Sequence, residues 1–121
     1  MGRSPDSPSD SATPYTERRI VPRYEFVATA KIIDAANSSK LSGRVTEISR
    51  RGCYVDVANV LPAGTLLDVR ISCDQGTFAT RAKVLYVQDR IGMGVVFLDP
   101  PKDQLEVLDS WLVKLPPVSS P

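Results

Sequence analysis

The chain has 121 residues, 42% of them hydrophobic, and a formal net charge of +1. This length suits one small domain with short tails, and the near-neutral charge argues against a bulk polyanion such as duplex DNA as partner. The absence of histidine excludes histidine-based triads, and Cys53 and Cys73 are too far apart for a C-x-x-C zinc site. We therefore expect no metal, no cofactor and no enzymatic activity.

The two ends differ in composition from the middle. Residues 1–16 are rich in Ser, Pro and Asp, which predicts a disordered leader, and residues 116–121 predict a flexible tail. The folded domain is then expected to span residues 17–115. No apolar run approaches the ~20 residues that cross a bilayer, and no signal peptide is evident. We expect a cytoplasmic protein without membrane insertion and with reduced thiols.

Apolar and polar residues alternate with period two between Phe26 and Leu98, which indicates strands. In the clearest case Leu67, Val69 and Ile71 share one face. A change of apolar face near Leu85 predicts a bulge. About six short strands separated by turn residues predict an all-β fold, a six-stranded antiparallel β-barrel. The predicted strands cover residues 26–32, 41–48, 53–57, 67–73, 77–87 and 93–98.

A C-terminal α-helix is predicted after the last strand. Apolar residues recur at helical spacing, which indicates a face packed on the barrel rather than a partner-binding helix. Asp99 is the predicted N-cap, with Pro100 and Pro101 at the first helical positions. Pro116 ends the pattern. The apolar face consists of Leu105, Leu108, Trp111, Leu112 and Leu115.

The first candidate binding segment is rich in arginine and precedes the first predicted strand. Arg18, Arg19 and Arg23 flank Pro22, which favours an extended, stiff loop. A guanidinium group stacks on a purine face and forks onto phosphate oxygens, so such a loop suits a compact guanine dinucleotide. A solvated basic stretch is the alternative for an arginine pair alone.

The second candidate segment connects two predicted strands. Glu47 can accept two hydrogen bonds from the N1–H and amino group of guanine, and Ser49 can reach the same ligand or brace the turn. Gly52 lets the chain reverse without a Cβ clash, at a positive φ if the turn requires it. Arg50 and Arg51 add charge at the bend. An ordinary polar hairpin would also account for these residues.

Together the two segments resemble the signature of the PilZ domain family. Arg19-x-x-x-Arg23 matches its arginine motif, and Glu47-x-Ser49-x-x-Gly52 matches its [D/N]-x-S-x-x-G motif, with Glu where the family prefers Asp or Asn. Residues 92–97 are similar to the family's glycine-rich last strand. The resemblance covers residues 17–115 in the family's order of arginine loop, barrel and helix.

The resemblance implies a receptor for the bacterial second messenger cyclic di-GMP. Such a receptor changes conformation on binding and signals to a separate effector protein, here unidentified; the alternative is a PilZ-like adaptor that binds protein but no nucleotide. By resemblance, Arg19 and Arg23 would hold phosphates and stack on guanine. Glu47 and Ser49 would hold a guanine edge, and Gly52 would shape the turn. Arg18, Arg50 and Arg51 are expected auxiliary cations.

A nucleic-acid-binding barrel is a further alternative. Tyr54, Tyr86 and Phe78 could form a stacking platform for single strands. Aromatic residues make up only 7% of the chain, and these three do not cluster with basic residues on one strand. We therefore expect neither DNA nor RNA as partner. Cys53 and Cys73 are interpreted as small buried hydrophobes.

Overall fold

The computed structural model describes residues 22–115, which form a closed barrel of six strands followed by a helix. Arg18 and Arg19, the predicted leader and the predicted tail lie outside the described residues and stay predictions. The strands are β1 (Arg23–Asp34), β2 (Lys40–Ser49), β3 (Gly52–Asp56), β4 (Leu66–Cys73), β5 (Gly76–Gln88) and β6 (Gly92–Leu98), and the helix is α1 (Lys102–Leu112).

The strands run around the barrel in the order β1-β2-β3-β6-β5-β4, and every neighbouring pair is antiparallel. The barrel closes where β1 pairs with β4, from Thr29 opposite Ser72 to Asp34 opposite Leu67. The predicted all-β antiparallel barrel with a C-terminal helix is confirmed. Closure matters because it leaves no unpaired strand edge in this sheet.

The period-two pattern places one face of each strand in a single core. Ala30 and Ile32 of β1 and Leu67 and Ile71 of β4 are fully buried, as the alternation predicted. The register of β5 against β6 shifts between Val84 and Tyr86, which confirms the bulge predicted near Leu85. As a consequence, Leu85 and Tyr86 both lie on the outer surface of the barrel.

Helix α1 packs on the barrel through the predicted apolar face. Leu108 and Trp111 are buried, and the Trp111 ring stacks on Phe26 with ring centroids 5.2 Å apart. The Phe78 ring meets Trp111 at a steep angle at 6.4 Å. The Gln104 side chain adds a polar contact, because its Oε1 accepts the Ala79 N–H at 2.7 Å. The helix therefore belongs to the core of the domain.

The N-terminus of α1 differs from the prediction. The helix begins at Lys102, with Pro101 at the N-cap in an extended conformation and no side-chain cap, so the Asp99 cap and the two helical prolines are wrong. A residue that precedes proline is disfavoured in the helical region, so Pro100, which precedes Pro101, cannot take the first helical position, and the helix starts after both prolines. Asp99 instead turns the chain with φ 46°. No helix within residues 22–115 is long and apolar enough to cross a bilayer.

The two cysteines are free thiols in different environments. Cys53 is buried, as predicted, and its burial raises the pKa of the thiol to about 12. Cys73 is only partly buried, at the end of β4 next to the turn, where its Sγ accepts the Gln75 N–H at 3.4 Å. Cys53 therefore acts as an apolar core residue that stays protonated at neutral pH.

We expect Leu108→Ala to lower the free energy of unfolding by about 2 to 5 kcal/mol, because it leaves a cavity between α1 and the barrel. Urea unfolding followed by Trp111 fluorescence measures the change. Val113→Ala is the matched control, since Val113 is 81% exposed just beyond the helix. Its expected effect is below about 0.5 kcal/mol. Equal losses in the two variants would contradict the packing of α1.

Candidate functional site

A groove of about 260 Å³ crosses the outer surface of the barrel and is lined by residues from five of the strands and the β2–β3 turn. It brings together five of the predicted site residues: Arg23, Glu47, Ser49, Arg51 and Gly52. A larger and more open depression of about 970 Å³ lies elsewhere, but it contains a single arginine. The concentration of candidate residues therefore identifies the smaller groove as the candidate site.

Arg23 and Glu47 form an ion pair in the groove, with Nη1 3.2 Å from Oε1. Arg23 is the first residue of β1 and pairs with Ser49 of β2, so its predicted place in a loop is wrong. The strand starts three residues earlier than predicted because a bulge between Glu25 and Ala28 lets β1 continue pairing. The Arg23 side chain is 58% exposed, and such a pair contributes only about 0–1 kcal/mol.

Ser49 is almost fully buried and braces the β2–β3 turn. Its hydroxyl donates to the Gly52 carbonyl at 3.3 Å and accepts the backbone N–H groups of Arg51 at 3.1 Å and Gly52 at 3.2 Å. These three bonds use the full capacity of a hydroxyl, one donor and two acceptors. We considered two roles for Ser49, contact with the ligand and bracing of the turn. In this structure its side chain braces the turn.

Gly52 is required by a close approach of two strands. A Cβ on this residue would lie 2.1 Å from the Val95 carbonyl oxygen of β6. Its φ is not in the positive range, so the positive φ considered for this position is not the reason for glycine. The absence of a side chain allows β3 and β6 to pair directly at the end of the groove.

Arg50 does not line the groove and instead connects the same turn to the C-terminal helix. Its Nε lies 2.8 Å from Asp109 Oδ1 of α1, and both side chains are about half exposed. Arg51, the next residue, lines both the groove and the shallow depression beside α1. The turn between β2 and β3 is therefore in contact with the groove on one side and with the helix on the other.

Tyr54 and Tyr86 also line the groove; we considered them only as part of a nucleic-acid stacking platform and did not predict them as site residues. Glu47 pairs with Tyr54, Tyr54 with Gly94, and Gly94 with Tyr86, so these residues lie in one row across four strands. The two rings are 6.2 Å apart at 30°. Phe78, the third member of the rejected aromatic platform, lies in the core.

The positions of the two tyrosine rings depend on two glycines of β6. A Cβ on Gly92 would lie 2.7 Å from the Tyr54 hydroxyl oxygen, and one on Gly94 would lie 2.5 Å from Tyr86 ring carbons. The Tyr54 hydroxyl donates a hydrogen bond to Gln88. Partial burial, and then the neighbouring Tyr86 and Asp56, raise the pKa of Tyr54, which keeps it a neutral donor.

The groove contains positive, negative and aromatic groups but no candidate metal centre. Among residues 22–115, no three cysteine or carboxylate side chains are grouped so as to hold a metal ion. Arginines supply donors for anions, Glu47 supplies paired acceptors, and the tyrosines supply an apolar face. This combination suits a ligand that has phosphate groups and a flat ring with N–H donors on its edge.

Gly52→Ala is expected to lower the free energy of unfolding by about 1 to 3 kcal/mol, because the new methyl group pushes β3 away from the β6 backbone. Chemical denaturation measures the loss. Arg51→Ala is the control in the same turn, since its side chain is exposed and its backbone N–H remains, and we expect a change within about 0.5 kcal/mol. An unchanged stability of Gly52→Ala would show that the two strands tolerate a Cβ there.

A family model and several solved structures match this chain, and they agree on one family. The model of the PilZ domain family matches residues 17–114. A PilZ domain with c-di-GMP of YcgR from Escherichia coli superimposes with a TM-score of 0.68 at 16% identity, covering 81% of this chain and 91% of that one. The PilZ domain of CeSA from a cellulose-synthesizing bacterium gives 0.60 at 16% identity, with 75% and 95% covered.

The inhibitor of motility MotI/DgrA from Bacillus subtilis gives a TM-score of 0.66 at 18% identity, with 80% of this chain and 50% of that one covered. No curated protein sequence matches this chain significantly. The structural likenesses establish a shared fold, and the family model extends over most of the sequence, including both arginine segments. This chain belongs to the PilZ domain family.

Proposed function

We propose that this protein is a receptor for cyclic di-GMP that passes its signal to a separate effector protein. The observation that carries the proposal is the groove in which Arg23, Glu47 and Arg51 meet on the barrel surface. The match to the PilZ family and the ligand named for the E. coli neighbour support the choice of nucleotide. A non-enzymatic role and a cytoplasmic location are part of the same proposal.

The chemistry of the groove fits the two kinds of group on this ligand. Arg23 binds a phosphate through its planar guanidinium or stacks on a guanine face, and the permanent charge suits a dianion. Glu47 accepts the N1–H and amino donors of one guanine edge. To do both, the ligand separates the Arg23–Glu47 pair, which costs little because both side chains already contact water.

Arg18 and Arg19 complete the site in this proposal. Arg19 lies four residues before Arg23 in the sequence, and Arg23 starts β1 at the rim of the groove. The preceding segment is therefore close enough to bring further guanidinium groups to the ligand phosphates. Ser49 contributes indirectly, since its three hydrogen bonds hold the turn that carries Arg50 and Arg51.

The pair between Arg50 and Asp109 offers a route from the ligand to the helix. A bound phosphate near the turn competes with Asp109 for the Arg50 guanidinium, because both are anions. Release of Asp109 leaves α1 packed through Leu108 and Trp111 but changes the charged surface that the helix and the turn present. We propose that the effector protein reads this surface, so that the ligand shifts the population between two arrangements.

Arg23→Ala is expected to abolish detectable cyclic di-GMP binding while the domain remains folded, because it removes the cation that lines the groove beside Glu47. Arg81→Ala is the matched control: Arg81 also forms an exposed carboxylate pair, with Asp68 at 2.9 Å, but does not line the groove. Titration calorimetry should give wild-type affinity for the control. Unchanged affinity in Arg23→Ala would contradict the assignment of this groove as the binding site.

Glu47→Asp is expected to tighten binding about ten-fold, about 1.4 kcal/mol, by restoring the shorter carboxylate that the family motif prefers. Calorimetry on this variant and on Glu47→Gln separates length from charge, since glutamine keeps the length but presents an amide to guanine donors. We expect Glu47→Gln to bind more weakly than wild type. Weaker binding by Glu47→Asp would mean that guanine does not meet this carboxylate as proposed.

The decisive test is calorimetric titration of the wild-type protein with cyclic di-GMP, with GTP as control. Saturable heat with the cyclic dinucleotide alone supports the receptor, and its stoichiometry distinguishes one bound ligand from a stacked pair. No heat at tens of micromolar ligand, together with an unchanged melting temperature, would favour the adaptor that binds protein but no nucleotide.

A further inference from the structure

We propose that the outer face of β1, β4 and β5, together with the start of β2, is a docking surface for an acidic region of the effector protein. This inference rests on the part of the proposed function in which a separate protein receives the signal, and it holds equally for the adaptor that binds no nucleotide. We call this surface the basic face. It is defined by five exposed cations, none of which lines the groove: Lys31, Lys40, Arg70, Arg81 and Lys83.

Two cations of the basic face are direct cross-strand neighbours. Lys31 of β1 lies opposite Arg70 of β4, and both side chains are exposed. The next residues in the same row, Ser42 on β2 and Ala79 on β5, are uncharged. Like charges that lie directly opposite each other destabilise a sheet, whereas opposite charges stabilise it. An anionic group from a partner protein would therefore relieve a repulsion that the fold itself leaves in place.

The next two rows of the sheet add three cations and two exposed apolar side chains. Lys40 and Arg81 lie in the row of Ile33, and Lys83 lies opposite Leu66 in the row after it. Ile33 is 38% exposed and Leu66 is 45% exposed. From the spacing of strands and of residues within a strand, the basic face measures roughly 14 Å in each direction. It is therefore one continuous patch of mixed cationic and apolar character.

Carboxylates are scarce on this patch. Asp68 is the exception, and its Oδ1 accepts a hydrogen bond from Arg81 Nε at 2.9 Å. Within residues 22–115, the other four cations of the basic face have no carboxylate in ion-pair contact. The chain as a whole is almost neutral, with 15 Lys and Arg against 14 Asp and Glu. The positive excess here follows from the way the fold places the charges.

A protein surface with carboxylates and apolar side chains matches this patch better than a nucleic acid does. The three rows contain no aromatic residue on which a base could stack. Ile33 and Leu66 lie among the cations, so a partner that covers them must bring its carboxylates and its apolar groups together. The patch covers roughly 200 Å², against about 800 Å² per partner in a stable complex, which suits weak and salt-sensitive docking.

The basic face borders helix α1. Gln104 of α1 accepts the Ala79 N–H, and Ala79 pairs with Arg70. A partner seated on the basic face is therefore next to the helix surface that the ligand changes in the proposed function. In this arrangement the basic face holds the effector protein, and the helix reports the presence of the ligand to it.

The test measures fluorescence anisotropy of a labelled peptide of alternating Glu and Leu with the full chain, and the same peptide with Gln in place of Glu is the control probe. We expect saturable binding of the Glu peptide that weakens as salt rises, because exposed charges are screened beyond about 10 Å at 0.1 M. Lys31→Gln combined with Arg70→Gln should raise the Kd about five-fold or more.

The matched control combines Lys114→Gln with Arg90→Gln, which removes one lysine and one arginine from exposed positions outside the three rows. Its Kd should stay within about two-fold of wild type, because distant exposed charges are screened. Lys31→Glu separates docking from folding. It creates an opposite-charge pair with Arg70, so we expect a higher midpoint of urea unfolding together with weaker peptide binding.

The docking role would be overturned by the absence of saturable binding of the Glu peptide, by equal binding of the Gln peptide, by equal losses in the two double variants, or by displacement of the peptide with cyclic di-GMP. Tighter binding of phosphatidylserine vesicles or of a single-stranded oligonucleotide through Lys31 and Arg70 would also overturn it, since either would indicate another class of partner. Salt-sensitive peptide binding in a protein that binds no cyclic di-GMP would instead overturn the receptor and leave the docking surface.

Discussion

The closure of the barrel through the pairing of β1 with β4 is the constraint on which the rest of the structure depends. Once the sheet is closed, each strand has one face in the core and the other on a continuous outer surface, so outward residues of different strands become neighbours. The core holds the register, because a slip of one residue would expose Ile32 or Leu67 to water. The groove forms where this fixed register brings outward-facing residues of different strands together.

Two local departures from regular strands shape the outer surface of the barrel at the candidate site. The bulge in β1 extends the strand far enough to place Arg23 beside Glu47, and the bulge in β5 turns Leu85 and Tyr86 outward. Gly52 then lets β3 pair closely with β6, and Gly94 leaves room for the Tyr86 ring. The β2–β3 turn is braced by one buried hydroxyl and touches α1, so the groove and the helix share a structural element.

Much of the fold was predictable because it depends on short-range patterns. Alternation in residues such as Leu67, Val69 and Ile71 indicated strands, the change of face near Leu85 indicated a bulge, and the leucines after Pro101 indicated a packed helix. The N-terminus of the helix was placed wrongly because a residue before proline is disfavoured in the helical region, so Pro100 cannot start the helix. The strand at Arg23 was missed because only pairing with Ser49 extends it.

The sequence by itself determined the fold class, the family motifs and most of the charged residues of the candidate site, since each motif is a short local segment, residues 19–23 and residues 47–52. Only the tertiary structure decided that Tyr54 and Tyr86 face the same groove as Glu47. They are 32 positions apart, on β3 and β5, and β6 lies between these strands. Strand order is set by barrel closure and long-range packing, which no local periodicity in the chain encodes.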